Sequence, residues 1–304
     1  YGWLAIKKSK ECKKIPFIFL GIWKIEKTNW LYLKLIMKYL GSKNKIAKYI
    51  LPIMLENRNG RTWVEPFVGG ANTIDKIDGL RIGNDKNEYV IALLNALKNG
   101  WQPPKEVSEE YYNKVKQNRD KHPKELVGYF GTQLVFGNIW FGSFRRDNGG
   151  KRKYDLEAYN NVIKQQPNLT GIEFVCGNYK DLQIPENSLI YCDPPYKGSR
   201  SYIGENKIIH SEFWDWCREK VNDEHIIYVS EYEAPSDFEC VWSKEVIVSG
   251  NNVHKEKLTN IEKLFVLKSE RWKRKKLLVY SITNNYIINS NEAKIFIIMV
   301  ECKK

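Results

Sequence analysis

An α/β fold with a buried, largely parallel sheet is predicted for this 304-residue chain, and three observations predict it. Short apolar runs bounded by turn residues alternate with stretches of helical periodicity, the pattern of strands covered by helices. One such run, Thr62-Trp63-Val64-Glu65-Pro66-Phe67, leads into Val68-Gly69-Gly70. Another, Ser188-Leu189-Ile190-Tyr191-Cys192, leads into Asp193-Pro194-Pro195-Tyr196. Loops of both kinds suit the carboxyl ends of parallel strands, where open α/β sheets bind their ligands.

Taken in order, Met37-Lys38-Tyr39-Leu40-Gly41-Ser42-Lys43 sets a glycine turn, an aromatic ring and a lysine ahead of a helical stretch at 44–50. Lysine and the amides of a helix N-terminus both favour an anion, although an ordinary helix start looks the same. After the strand at 62–67, the paired glycines let the main chain turn sharply and approach a ligand closely. The next strand, Leu80-Arg81-Ile82-Gly83-Asn84-Asp85, ends in a carboxylate about 15 residues further on, in the manner of acids that hydrogen-bond ribose hydroxyls. Asp85 equally suits the N-cap of the helix at 87–98, whose Val90, Ile91, Leu93, Leu94 and Leu97 form an apolar stripe closed by Gly100.

Residues 101–136 read as mostly helical. In 140–154, the five cations Arg145, Arg146, Lys151, Arg152 and Lys153 face one acid, Asp147, around an Asn-Gly-Gly turn between aromatic arms. This predicts a basic hairpin whose cations hold phosphates, with Arg145 or Arg146 able to read guanine edges; a solvated surface loop is the plainer alternative. Strands follow at 173–179 and 188–192. Beyond the tetrapeptide come a Gly, Ser and Tyr-rich loop at 197–207, a helix from Glu212, a buried strand at 225–230, and an antiparallel pair at 241–248 and 261–267. That makes seven strands.

The tetrapeptide has its own chemistry. Two consecutive prolines keep the backbone extended, leave carbonyls free and remove two N–H donors. Asp193 adds a carboxylate oxygen, the Pro194 carbonyl a second acceptor, and Tyr196 a flat ring on which a planar base can stack. An amine with two hydrogens fits that array. A proline loop with a chance acidic neighbour is the bland alternative.

In this order and spacing, KYLGSK, VEPFVGGAN, IGND and IYCDPPY resemble the Dam-type DNA adenine N6-methyltransferases over residues 37–267. The resemblance implies a Rossmann-like fold dependent on S-adenosyl-L-methionine, with a mostly helical target-recognition insert and methyl transfer to the N6 amine of an adenine flipped from double-stranded DNA. Carried onto matching positions, Tyr39 and Lys43 resemble the family's front cofactor contacts, Phe67 and Gly69 its glycine-loop contacts, and Asp85 its ribose carboxylate. Asp193, Pro194, Pro195 and Tyr196 resemble its catalytic tetrapeptide, with Asp193 also bordering the cofactor. One position departs: where the family commonly has Asp before an aromatic, this chain has Asn178-Tyr179. The amide oxygen can still accept from the cofactor's adenine amine, so weaker cofactor binding is expected rather than lost activity. The DNA contacts expected are Arg145, Arg146, Lys151, Arg152 and Lys153, joined by Arg200 and Tyr202 of the 197–207 loop. The resemblance also admits a restriction endonuclease as partner.

These expectations divide the chain into an N-terminal extension (1–36), a first catalytic part (37–99), the insert (100–169), a second catalytic part (170–267) and a basic tail (268–304). Met37 is where chains of that family naturally begin, so 1–36 reads as an upstream extension. Its apolar run at 15–23 lacks a small-residue cleavage site and is too short to span a bilayer.

The net charge of +13 suggests nucleic acid at first sight, but each flank carries +6 and residues 37–267 only +1. Any DNA footprint is therefore a local patch. Six cysteines without a Cys-x-x-Cys spacing, and four histidines without a ligand pattern, argue for a reducing, cytoplasmic setting and no metal. Methylation of an RNA or protein amine or amide, or an idle DNA-binding relative, remain the alternatives. A dinucleotide oxidoreductase fits poorly because the full Gly-x-Gly-x-x-Gly is missing.

Overall fold

A computed structural model describes residues 37–147, 149–196, 208–247 and 259–268. The extension before Met37, Asn148, the 197–207 loop with Arg200 and Tyr202, and the tail after Lys268 lie outside the described residues.

The architecture is mixed α/β. Seven strands, β1 (Trp63–Glu65), β2 (Arg81–Asp85), β3 (Ile172–Cys176), β4 (Leu189–Cys192), β5 (Ile226–Glu231), β6 (Phe238–Ile247) and β7 (Thr259–Leu267), form one sheet in the order β3-β2-β1-β4-β5-β7-β6. The first five run parallel, and β7 is antiparallel to both β5 and β6. All seven predicted strands are present, in an arrangement consistent with a methyltransferase fold. The chain moves outward from β1 to β2 and β3, then returns to the other side of β1 with β4, so strand order reverses between β1 and β4. At such a reversal the flanking loops diverge and leave a crevice at the strands' carboxyl ends.

Both faces of the sheet are covered, and residue parity assigns each side chain to a layer. Trp63, Leu189, Tyr191, Tyr228, Leu264 and Val266 join a core with α1 (Asn44–Leu55), α2 (Glu88–Lys98), α4 (Lys124–Gln133) and α5 (Tyr154–Gln165). Their alternating neighbours Val64, Ile190, Cys192, Ile227, Val229 and Phe265 join a second core with α6 (His210–Asn222). The centre of the sheet is therefore apolar at nearly every position, as parallel strands under two helical layers require. Each fully buried Leu, Ile or Phe there contributes about 1.5–3 kcal/mol.

Local signals set the helix ends. Asn87 caps α2, its side-chain oxygen accepting from the Tyr89 and Val90 amides. Asp85, the cap expected as one alternative from the sequence, lies two residues too early and is used otherwise. Ser108 caps α3 (Glu109–Gln117) by accepting from the Tyr111 amide. Helix α4 lies backbone to backbone on α2, because a Cβ at Gly128 would overlap the Tyr89 carbonyl.

The predicted basic hairpin does not form among the described residues. Among the described residues of 135–153 one isolated antiparallel bridge, Val135 with Phe144, is the sole strand-like pairing. A two-stranded ribbon with nothing packed on it is marginal in water, and Asp147 offers the backbone another closure. Its carboxylate accepts from the Gly149 amide at 3.0 Å and the Arg152 amide at 2.5 Å. Among the described residues no helix is long and apolar enough to cross a membrane.

Candidate active site at the sheet reversal

The carboxyl ends of β1 and β4 flank the reversal, and the loops leaving them carry the glycines and the tetrapeptide. Gly69 stands at φ +49°, and a Cβ on it would lie 2.7 Å from the Tyr39 ring. The aromatic of the leading segment thus packs directly on the glycine backbone. The Gly69 amide donates to one Asp85 oxygen at 3.0 Å and the Asn87 amide to the other at 2.9 Å. Asp85 thereby ties the end of β2 to the glycine loop. Burial raises its carboxyl above the usual range, and these amides oppose that rise. Nearby, Phe67 stacks obliquely on Tyr179 with ring centres 5.1 Å apart and meets the edge of Phe213 at 5.8 Å. Asn178 immediately precedes this aromatic group, exposed, its side-chain oxygen accepting from the Lys180 amide at 3.1 Å.

On the other side of the reversal Asp193 forms an ion pair with Lys43 at 2.9 Å. Lys43 is 7% exposed and also lies 3.8 Å from Glu262 of β7. Its ammonium sits 4.5 Å from the centre of the Tyr196 ring. The Tyr196 hydroxyl donates to Glu262 at 2.9 Å, while the edge of its ring meets Tyr232 at 4.6 Å. One cation thus stands among two carboxylates and an aromatic face. Burial works against the charge on Lys43, yet Asp193 and Glu262 hold its pKa above the ordinary lysine value. Asp193 is pushed up to about 6 by burial, with Lys43 restraining the rise and Glu262 adding to it. Buried Glu65, at the end of β1, is driven well above the carboxylate range by desolvation despite accepting from the Trp63 indole at 2.9 Å.

What joins the two halves is the segment at 37–43. The Met37 amide donates to Gln165 and the Lys38 amide to Gln133, which donates back to the Lys38 carbonyl. Gln165 also donates to the Gly70 carbonyl, and Asn72 to the Met37 carbonyl and Ser42 hydroxyl. Both glutamines are essentially fully buried, where a satisfied amide fixes geometry and an unsatisfied one is costly. The helical part of the chain therefore holds the segment that delivers Tyr39 to the glycines and Lys43 to Asp193.

The cations at 145–153 are not a single set. Arg145 is 14% exposed, set 3.7 Å from Glu157 and stacked on Tyr154 at 4.1 Å. Lys38 pairs with the same Glu157. Arg146 makes a two-pronged pair with Glu109, and Lys151, Arg152 and Lys153 are exposed. Sequence reasoning missed Glu262, Tyr232, Glu65, Gln133 and Gln165. An acid in the alternating strand 259–263 was the one local hint of Glu262, and nothing local marked the glutamines. Among the described residues no cluster of His, Cys, Asp and Glu could hold a metal ion.

Residues 39–134 match the family model of D12 class N6 adenine-specific DNA methyltransferases. The chain is similar to the Type II methyltransferase M.FokI of Planomicrobium okeanokoites, with 28% identity over 219 residues covering 62% of this chain and 32% of that protein. It is 26% identical over 198 residues to the Type II methyltransferase M.MjaIII of Methanocaldococcus jannaschii, covering 53% of this chain and 68% of the other. The Modification methylase StsI of Streptococcus sanguinis is 27% identical over 214 residues, covering 61% and 31% respectively. The chain thus spans about a third of the length of two of these relatives and about two thirds of the other. The matched segment carries the leading turn, the glycine loop and the acid ending β2, and together with these relatives it supports the N6 adenine-specific DNA methyltransferase family for this chain.

Proposed function

We propose that this chain transfers a methyl group from S-adenosyl-L-methionine to the N6 amine of an adenine flipped out of double-stranded DNA. The observation that carries the proposal is the cluster of Asp193, Lys43 and Tyr196 at the reversal of the sheet, where one carboxylate, one buried cation and one aromatic ring share a crevice.

The residues present fit the cofactor. Gly69 and Gly70 keep the turn after β1 free of side chains; the Asp85 carboxylate retains acceptor capacity for ribose hydroxyls beyond its backbone bonds. Phe67 and Tyr179 offer an aromatic wall for a purine, with the Asn178 amide beside it. Lys43, expected at the front of the cofactor, also makes an ion pair with Asp193, and we assign it to the catalytic acid as well. When bound, the cofactor supplies an electrophilic methyl group. The rest is done by the protein. An exocyclic amine is a weak nucleophile because its lone pair is delocalised into the ring. Asp193 and the Pro194 carbonyl accept its two hydrogens, which raises its sp³ character, and Tyr196 stacks on the base to hold it in plane. Positioning and acceptors matched to the positive charge developing on nitrogen supply most of the rate.

The fold then reads as a Rossmann-like catalytic sheet from 37–99 and 170–267, with 100–169 as a helical target-recognition insert. Exposed Lys151, Arg152 and Lys153 are its phosphate contacts, with Arg146 able to swing from Glu109 to DNA; Arg145, turned inward, braces the loop. The type II relatives make a restriction endonuclease the partner to look for. The test is tritiated methyl transfer from the full chain to duplex DNA, RNA and protein in parallel. Label on adenine N6 in DNA, absent with Asp193→Ala, is expected. Label on RNA or protein alone, or undiminished transfer by the variant, overturns the proposal.

A further inference from the structure

Glu262 belongs to no motif, yet it touches two members of the cluster from the antiparallel part of the sheet. It lies on β7, where residue parity places it with Leu264 and Val266 on the face covered by α1. Its carboxylate accepts the Tyr196 hydroxyl at 2.9 Å and stands 3.8 Å from the Lys43 ammonium. Two residues earlier on the same strand and face, Asn260 donates to the Tyr232 hydroxyl at 2.9 Å. Tyr232 in turn packs against Tyr196, their planes 83° apart. One face of β7 therefore grips two tyrosines by their hydroxyls and sets them edge to face beside Asp193.

We propose that Glu262 is a positioning residue for the tetrapeptide: it fixes the plane of Tyr196 through the phenol hydroxyl and draws Lys43 partly away from Asp193, leaving that carboxylate able to accept an amine hydrogen. The proposal rests on the function given above. Its physical content is twofold. Tyr196 is nine-tenths buried, so its ring is held by contacts rather than by solvent, and a tilted ring misplaces the base stacked on it. A misplacement of about 1 Å at a reacting centre costs on the order of 100-fold in rate. Lys43 without Glu262 faces Asp193 as its sole described carboxylate within ion-pairing distance, and a fully paired acid is a poorer acceptor.

The two parts separate by substitution. Glu262→Gln keeps an acceptor for Tyr196 and removes the charge; Glu262→Ala removes both; Tyr196→Phe removes the donor. Expected for Glu262→Ala is a fall in kcat of ~10- to ~100-fold, with KM for DNA and cofactor changed less than ~3-fold. Glu262→Gln should recover only the part of the kcat plateau that depends on holding Tyr196, because Lys43 then pairs fully with Asp193, while its acid limb moves to lower pH, because a neighbouring negative charge no longer raises Asp193. Tyr196→Phe should move that limb the opposite way, to higher pH, because the phenol hydroxyl helps to hold Asp193 down. Melting of the cofactor-free protein supplies a readout independent of activity: Glu262→Ala and Tyr196→Phe should each lower Tm, and the double variant should lose no more than the larger single loss. Strictly additive losses in Tm, or an acid limb unmoved in Glu262→Gln, overturn the proposal. Wild-type chain that labels no adenine, with non-additive melting, overturns the proposed function and leaves the brace between Glu262 and Tyr196 standing.

Discussion

Lys43 and Lys151 are assigned to the same reaction, yet they are built into the protein by opposite rules. Lys43 is buried, pinned at the start of α1, and bridges two carboxylates that came from β4 and β7. Lys151 stands in solvent on a loop closed by one aspartate. Removing a buried member of a charge cluster leaves its partners uncompensated, so its effect is large and depends on pH. Removing a solvent-exposed cation changes a screened interaction, so its effect is small, roughly additive and dependent on salt. The cleft at the sheet reversal and the loop at 145–153 should therefore fail in different ways.

The sharpest break in that contrast comes from Asp193→Ala. We expect methyl transfer to fall by ~10³-fold or more, while calorimetric cofactor affinity stays within a few-fold. Lys43→Met comes next. Burial already pushes Asp193 to about 6 against the restraining ammonium, so removing the ammonium raises it further. Activity needs the ionised acid; in the wild type it should decline as pH falls through about 6, and in Lys43→Met the decline should begin at higher pH. At neutral pH the rate should drop by roughly 100-fold, with a lower Tm. A pH profile unmoved by this substitution would separate Lys43 from Asp193 in function.

The exposed side of the comparison predicts smaller effects. Replacing Lys151, Arg152 and Lys153 together by alanine should weaken DNA binding by roughly tenfold at moderate salt and flatten the plot of log K against log salt by about three. Transfer at saturating DNA should be unchanged, which a filter-binding series and single-turnover kinetics can check. Smallest of all is Asn178→Asp. Restoring the acid common in the family should tighten cofactor binding by a few-fold, read by calorimetry, because the amide oxygen already accepts locally from Lys180.

Much of this was written in the chain's local patterns. The apolar runs gave all seven strands, since period and bounding turns are properties of a few adjacent residues. The glycine loop, Asp85 and the tetrapeptide were legible for the same reason: each sits at a strand end, where local sequence also sets position. The basic hairpin misled because an Asn-Gly-Gly turn competes with Asp147 for the same backbone amides, and which closure prevails depends on packing that a turn signal does not encode. Glu262, Gln133 and Gln165 were illegible because their partners are 66, 95 and 128 residues away. Their roles exist only once the sheet has brought distant segments into register.

That distance also sets a timetable. The segment at 37–43 is made before any of its anchors exists. At 5–20 residues per second, Lys43 waits roughly ten to forty seconds before β7 is made. Until Gln133, Gln165 and then Glu262 have emerged, the segment bearing Tyr39 and Lys43 lacks its full set of anchors, and long loops must close before these contacts reward it. The cluster at the sheet reversal is thus among the last things the growing chain can finish, so the proposed methyl transfer would report completion of the sheet more faithfully than helix content does.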